Sequence, residues 1–185
     1  MGPPITTDDP IMKYPYLPEG RTIKQVGLEN EFMREAKRLR DELSKERNYP
    51  TGAVVVMNGA IIGRNVNEPP LKSPKLQALH KAGWCVRQWF KIPSGQKYWL
   101  CPGCAKSKFH AETRAIKDAL KRTKSIAGAD LYLYGHWWCC KPCWDNMIRA
   151  GIRDVYLVEG AFGLFEKRSY MTAEFSGAAQ SPAKQ

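Results

Sequence analysis

The sequence lacks three features that would assign it to common special classes. No apolar run is long enough to cross a bilayer, although 43% of the 185 residues are hydrophobic. The N-terminus has neither the basic start nor the apolar stretch of a secretion signal. There is no internal repeat. These absences argue against a membrane partner, secretion and a repeat architecture, and predict a cytoplasmic protein with one domain and a core of ordinary size.

The cysteines do not suggest a disulfide framework. Four of the six cysteines form two C-x-x-C pairs, Cys101 with Cys104 and Cys140 with Cys143. In a chain expected to be intracellular, such pairs indicate metal binding more strongly than disulfide bonds.

Acidic residues are scarce in one stretch of the chain. The net charge is +11, and residues 71–125 carry 13 basic and only two acidic side chains, so the remainder is neutral. A solvated basic surface would explain this concentration. Attraction for an anionic nucleotide substrate or for single-stranded nucleic acid would explain it equally, and both interpretations stay open.

The chain divides into an arm, a domain and a tail. Five prolines in residues 1–28 predict an extended arm. Residues 29–175 form the predicted domain, and residues 176–185 have the composition of a mobile tail. Within the domain, residues 67–109 are rich in proline and glycine and show little periodicity. A segment of this length needs something to hold it together.

Hydrophobic periodicity predicts the elements of the domain. Apolar residues recur at helical spacing from Phe32 to Leu43, and two strands over 53–57 and 60–63 flank the hairpin turn Asn58-Gly59. After the irregular insert follow a helix, a strand, a helix and a strand, which begin near residues 110, 131, 140 and 155. This order predicts a three-layer α/β domain.

The most informative fragments are His110-Ala111-Glu112 and Cys140-Lys141-Pro142-Cys143. One histidine and two cysteines can hold a zinc ion, and three protein ligands leave the fourth position open for water, as catalysis requires. Both fragments fall where a helix is predicted to begin, so they can converge on one ion. Glu112 would then move protons as the catalytic residue. A purely structural zinc would leave Glu112 without a role.

With these fragments the chain resembles the cytidine and deoxycytidylate (dCMP) deaminase superfamily, and most closely its dCMP branch. The resemblance implies an α/β/α fold with a central mixed sheet, a homo-oligomer and one catalytic zinc held by His110, Cys140 and Cys143. Gly63-Arg64-Asn65 is similar to the family's G-x-N segment, whose asparagine usually contacts the sugar; a turn asparagine is the alternative.

Two positions depart from the family pattern. Arg114 stands where dCMP deaminases often have asparagine, and Cys139 replaces the usual proline before the first cysteine ligand. Cys139 is expected to be buried and not to bind the zinc, because adjacent residues of a strand point in opposite directions. The segment before it usually shapes the base pocket. The predicted substrate contacts are Asn65, Ala111, His136, Trp138, Arg114 and Lys108, with Arg87 and Lys106 as further candidates for the phosphate.

A second, structural zinc is predicted inside the insert. Cys101-Pro102-Gly103-Cys104 is typical of a zinc knuckle, and His80 and Cys85 complete a closed set of four ligands. Such a site would explain how an irregular segment stays ordered. Alternatively, His80 and Cys85 are ordinary buried residues.

The predicted function is zinc-dependent hydrolytic deamination of a cytosine nucleotide, dCMP to dUMP. Three alternatives remain open. The enzyme could act on polymeric nucleic acid, single-stranded DNA or tRNA, which would suit the basic insert and the tryptophans. It could deaminate a modified base or a purine. A non-catalytic, zinc-stabilised nucleic-acid-binding module is the alternative from another class.

Overall fold

The computed structural model describes residues 14–46, 49–93 and 96–166. Five strands form one sheet in the order β1-β5-β4-β2-β3. The strands are β1 (Ile23–Val26), β2 (Gly52–Met57), β3 (Ala60–Val66), β4 (Asp130–Tyr134) and β5 (Val155–Val158). The helices are α1 (Glu31–Leu43), α2 (Pro74–Lys81), α3 (Val86–Trp89), α4 (Ala111–Arg122), α5 (Lys141–Arg149) and α6 (Ala161–Phe165). None of the described helices could span a membrane.

The sheet is mixed. β5 runs parallel to both β1 and β4, whereas β2 is antiparallel to β4 and β3. Asn58 and Gly59 both have positive φ and make the tight turn between β2 and β3, as the Asn-Gly pair predicts. β2 lies between two neighbours and is buried along almost its whole length.

Helices cover both faces of the sheet. A Cβ on Gly52 would lie 2.1 Å from the carbonyl oxygen of Ala36 in α1, whereas one on Gly63 would lie 2.5 Å from the carbonyl oxygen of Ala115 in α4. Gly63 is paired with Val55, three residues beyond Gly52 on β2. Because successive residues of a strand face opposite sides, α1 and α4 lie on opposite faces. The predicted three-layer α/β fold with a mixed sheet is confirmed.

Helix α1 shows how the sequence positions these layers. The side chain of Asn30 accepts hydrogen bonds from the backbone N–H groups of Phe32 and Met33 and caps the helix. Met33, Ala36 and Leu39 are buried at helical spacing. These residues form one apolar stripe, through which α1 packs against the sheet.

The structure departs from the predicted organisation in two places. β1 lies inside the predicted arm and pairs with β5, so the end of the arm belongs to the sheet. The insert contains α2, α3 and two short 3₁₀ segments, Tyr98–Leu100 and Ser107–Phe109, where no regular element is predicted. The predicted tail, 176–185, and the first part of the arm lie outside the described residues.

Candidate functional site

The first cluster of metal-binding side chains lies between the starts of α4 and α5. His110 is the N-cap residue of α4, and Cys140 is the N-cap residue of α5 with Cys143 in its first turn. The extended backbone before each helix brings the three side chains to one point. The positive ends of the two helix dipoles lie nearby and favour thiolates.

The imidazole of His110 is fixed in one tautomer. Its Nε2 lies 2.9 Å from the carbonyl oxygen of Ala105, which can only accept, so Nε2 carries the proton. Nδ1 is then the nitrogen with a free lone pair, and it lies 3.3 Å from Sγ of Cys143 and 3.5 Å from Sγ of Cys140. Such an outer hydrogen bond is how proteins orient metal-binding histidines.

These three residues fit a zinc ion. Zn–S bonds of about 2.3 Å and Zn–N bonds of about 2.1 Å in a tetrahedron place ligand atoms roughly 3.5–3.8 Å apart. The ligand atoms of His110, Cys140 and Cys143 all lie within 4.8 Å of one another. Cys139 is buried and is not a member of this cluster.

Cys140 is prepared for a metal ion, whereas His110 and Cys143 must each lose a proton first, because their pKa values are raised. The neighbouring Cys143 and His110 hold the pKa of Cys140 well below its usual range. Burial alone would lower the pKa of His110, but the hydrogen bond to Cys140 and the charge of its thiolate raise that pKa to about 9. The pair therefore behaves as a thiolate beside an imidazolium, whose proton a metal ion would replace.

Glu112 is a buried carboxyl group two residues from His110. Only 6% of its surface is exposed, and it lies in the first turn of α4. Burial raises the pKa of Glu112, and the charge of His110 counteracts part of this effect. A carboxyl group in this environment can take up a proton and release it again.

A cavity of about 220 Å³ opens in front of the cluster. Its wall includes the predicted site residues His110, Glu112 and Cys140 together with Ala111, His136 and Trp138. On another side it includes His80 and Cys104 of the second predicted zinc set. The cavity therefore extends from one cysteine–histidine cluster to the other.

His136 and Trp138 form part of this wall, and their polar groups differ in exposure. Nδ1 of His136 accepts from the backbone N–H of Trp137 at 3.1 Å and of Trp138 at 3.4 Å, so its proton sits on Nε2. Burial lowers the pKa of His136 to about 4 and keeps the ring neutral. The indole N–H of Trp138 is buried and finds no acceptor among the described residues.

Three of the predicted substrate contacts lie elsewhere. The Asn65 side-chain oxygen accepts from Nη2 of Arg114 at 3.1 Å, and the same nitrogen donates to Glu68 at 2.9 Å. Lys108 is exposed, with its ammonium 5.0 Å from the ring centre of Phe109. Among the described residues, none of the three lines the cavity, so their contact with a substrate stays a prediction without support from its geometry.

The second cluster joins the four residues predicted to bind a structural zinc. Ligand atoms of His80, Cys85, Cys101 and Cys104 lie within 4.8 Å of one another, and the three cysteines are buried. Sγ of Cys104 lies 3.5 Å from Sγ of Cys85 and 3.7 Å from Nε2 of His80. All six cysteines of the chain are free thiols.

Two residues that are not ligands, Gly103 and Arg87, lie close to the second cluster. A Cβ on Gly103 would lie 2.1 Å from Cδ2 of His80, so only glycine lets the knuckle pass this close to the ring. Nη1 of Arg87 lies 3.5 Å from Sγ of Cys104, and other guanidinium nitrogens donate to the carbonyls of Ile92, Pro93 and Gln96. Arg87 lines the cavity, but these hydrogen bonds hold its guanidinium group within the insert, so the group is not free to bind a phosphate.

Several polar residues on the cavity wall were not predicted from the sequence. Lys81 is exposed and comes directly after His80 in α2. Because His80 lines the cavity, Lys81 also lies on the cavity wall. Asn67 accepts from the backbone N–H of Thr51 and donates to the carbonyl of Tyr49, which fixes the rim. No local pattern marks these contacts, since they join separate loops.

Comparison with known proteins gives a family and several distant structures. The family described as "Cytidine and deoxycytidylate deaminase zinc-binding region" matches residues 27–159. The dCMP deaminase of cyanophage S-TIM5 in apo form is 22% identical, with TM-score 0.41 over 75% of this chain and 89% of that chain. Guanine deaminase from Bacillus subtilis is 18% identical, with TM-score 0.43 over 83% and 78%. No curated protein matches the sequence.

Proposed function

Because the chain belongs to the family of the cytidine and deoxycytidylate deaminase zinc-binding region, we propose that it hydrolyses a cytosine nucleotide, dCMP, to dUMP and ammonia. One observation carries this proposal. A buried carboxyl group, Glu112, shares a cavity wall with His110 and Cys140, two members of a cluster that fits zinc.

In this proposal His110, Cys140 and Cys143 hold the catalytic zinc. When bound, the ion supplies a polarised water for attack on the ring carbon that carries the amino group. The hydrogen bond from His110 to Ala105 keeps the imidazole aimed at the ion. Two thiolates and a neutral imidazole balance the charge of Zn²⁺.

Glu112 moves the protons. It accepts one proton from the attacking water and passes it to the ring nitrogen. It then takes the remaining proton from the hydroxyl group on the ring carbon, which becomes a carbonyl, and delivers this proton to the departing amine. The water oxygen becomes bonded to the ring carbon, the carbon–nitrogen bond breaks and ammonia leaves. The burial of Glu112 supports this role, because the carboxyl group is poised to be protonated and deprotonated in turn.

We propose that the base lies against His136 and Trp138. The neutral imidazole of His136 offers an N–H group, and the ring of Trp138 forms another part of the same wall. The oxygen of a pyrimidine ring is the acceptor that such a donor requires. Lys81, which is exposed at the rim, replaces Arg114 and Lys108 as the proposed contact for the phosphate.

We further propose that the second cluster holds a structural zinc. Four protein ligands leave no position for water, as in structural sites. Three thiolates and a neutral histidine around Zn²⁺ leave one negative charge, which the guanidinium of Arg87 beside Cys104 would neutralise.

Ammonia release from dCMP by the zinc-loaded protein tests the proposed activity. Glu112→Gln should lower kcat by about 10²- to 10⁴-fold while zinc content is retained. Glu159→Gln, at an exposed glutamate, is the matched control and should keep full activity. CMP, deoxycytidine, guanine and tRNA complete the panel. Equal turnover by wild type and Glu112→Gln, or turnover of guanine alone, would refute the proposed reaction.

A further inference from the structure

The insert carries an aromatic surface outside the core. Phe90 is 72% exposed, Trp99 69%, Trp84 66% and Trp89 62%. Large aromatic side chains are usually buried at least in part. The rings of Trp84 and Trp89 lie 6.2 Å apart, so these two form one patch. Exposed apolar surface of this kind marks a site of interaction.

The same segment is uniformly basic. Between Pro69 and Ala111 the sequence contains eight Lys and Arg residues and no Asp or Glu. Arg87 is buried, whereas all seven lysines are exposed: Lys72, Lys75, Lys81, Lys91, Lys97, Lys106 and Lys108. The charge of the insert therefore favours a partner that is anionic as well as able to cover aromatic rings.

An apolar groove links the aromatic surface to the cavity. The groove has a volume of about 280 Å³ and is lined mainly by Leu76, Leu79, Trp84, Val86 and Pro102. Leu71, His80 and Gly103 line both the groove and the cavity. A ligand that lies along the insert would thus reach the rim of the cavity.

We propose that this surface of the insert binds single-stranded nucleic acid. A single strand alternates phosphates with flat bases, and proteins bind it by combining lysines with stacking aromatic rings. A duplex hides its base faces, and an acidic protein segment offers charge without rings. The inference goes beyond the proposed nucleotide deamination and does not depend on it.

Fluorescence anisotropy with a labelled thymidine oligonucleotide of about 15 nucleotides tests the proposal. This probe contains no cytosine, so binding is measured separately from deamination. The zinc-loaded protein should bind the strand more tightly than the same sequence as a duplex. Trp89→Ala and Trp99→Ala should each weaken binding roughly 5- to 100-fold. Leu164→Ala, an exposed apolar residue of α6, is the matched control.

Salt dependence tests the lysines. Lys75→Gln combined with Lys106→Gln should reduce the slope of log K against log salt concentration by about 1.4, from two lost phosphate contacts on a single strand. Lys121→Gln, in the last turn of α4, should leave the slope unchanged. Measurements between about 50 and 200 mM salt cover the range in which this effect is large.

Three results would overturn the proposal: no binding of the strand, equal binding of the duplex, or tryptophan variants that bind like the wild type. Sedimentation of the same variants identifies the competing explanation. If self-association disappears in Trp89→Ala while the strand does not bind, the surface is an interface between copies of the chain. Failure of dCMP turnover alongside strand binding would refute the proposed deamination of dCMP and leave this inference standing.

Discussion

At the scale of single residues, Trp138 offers a sharp test of base recognition. Its ring lines the cavity, whereas its indole nitrogen is enclosed within the protein and lacks an acceptor among the described residues. Trp138→Phe reduces the ring surface that lies against the proposed base. We expect KM for dCMP to rise about 2- to 10-fold with kcat nearly unchanged, because apolar contact with the base is lost.

Trp137→Phe is the matched control for this prediction. Trp137 is equally buried and its N–H is also unpartnered, but it packs edge-on against Phe162 in the core, with ring centres 4.9 Å apart. Its replacement should leave KM unchanged. Equal effects of the two substitutions on KM would show that Trp138 acts through packing within the protein and not through contact with the substrate.

His136 gives a second prediction at this scale. Its pKa of about 4 keeps the ring neutral at neutral pH, so protonation of His136 should not appear in the pH–rate profile between about pH 5 and 8. His136→Ala should raise KM for dCMP about tenfold without loss of zinc. A drop in zinc content would instead mean that His136 supports the metal cluster.

The convergence of His110, Cys140 and Cys143 was the easiest part of the candidate site to predict. His110 and Cys140 each precede a helix, and Cys143 follows within one turn, so local sequence alone brings them near helix starts. The contacts of Asn65 and Arg114 were not predictable in this way. These two side chains pair across β3 and α4, 49 positions apart, and spacing along the chain does not reveal which partner a polar group selects.

At the scale of elements, the knuckle depends on its glycine. Gly103→Ala would place a methyl group against the ring of His80 and push this residue away from the cysteines. We expect the zinc content to fall from about two ions per chain to about one. Gly163→Ala, where a Cβ meets nothing within 4 Å, is the control. A zinc content of about one ion per chain in both the wild type and Gly103→Ala would refute the second metal site.

The missed elements share one physical cause. β1 has only four residues, and its central Lys24 and Gln25 are exposed, so its sequence shows no apolar pattern. α2 has no buried residue, and its leucines face outward. β1 depends on its pairing with β5 rather than on local preference, whereas α2 lacks the buried apolar stripe by which helices are recognised. The hairpin of β2 and β3, which has a strong turn signal, was predicted correctly.

At the scale of the whole molecule, metal removal should lower the thermal stability of the fold. If the second cluster holds zinc, the free energy of binding contributes to folding of the insert. A chelator should therefore lower Tm in the wild type. Cys101→Ser with Cys104→Ser should start from a lower Tm and lose less of it on chelation. Identical Tm values with and without chelator would contradict a structural metal.

Edge strand β1 also has a consequence for the order of assembly. Ile23 of β1 pairs with Val155 of β5. The first strand of the sheet along the chain can therefore pair only after the last strand has been synthesised. Contacts so distant along the chain close late, because the intervening loop loses much entropy. The hairpin of β2 and β3 needs no such wait. During refolding, pulse-labelled amides of β1 should gain protection from hydrogen exchange after those of β2, and the sheet should grow outward from the hairpin.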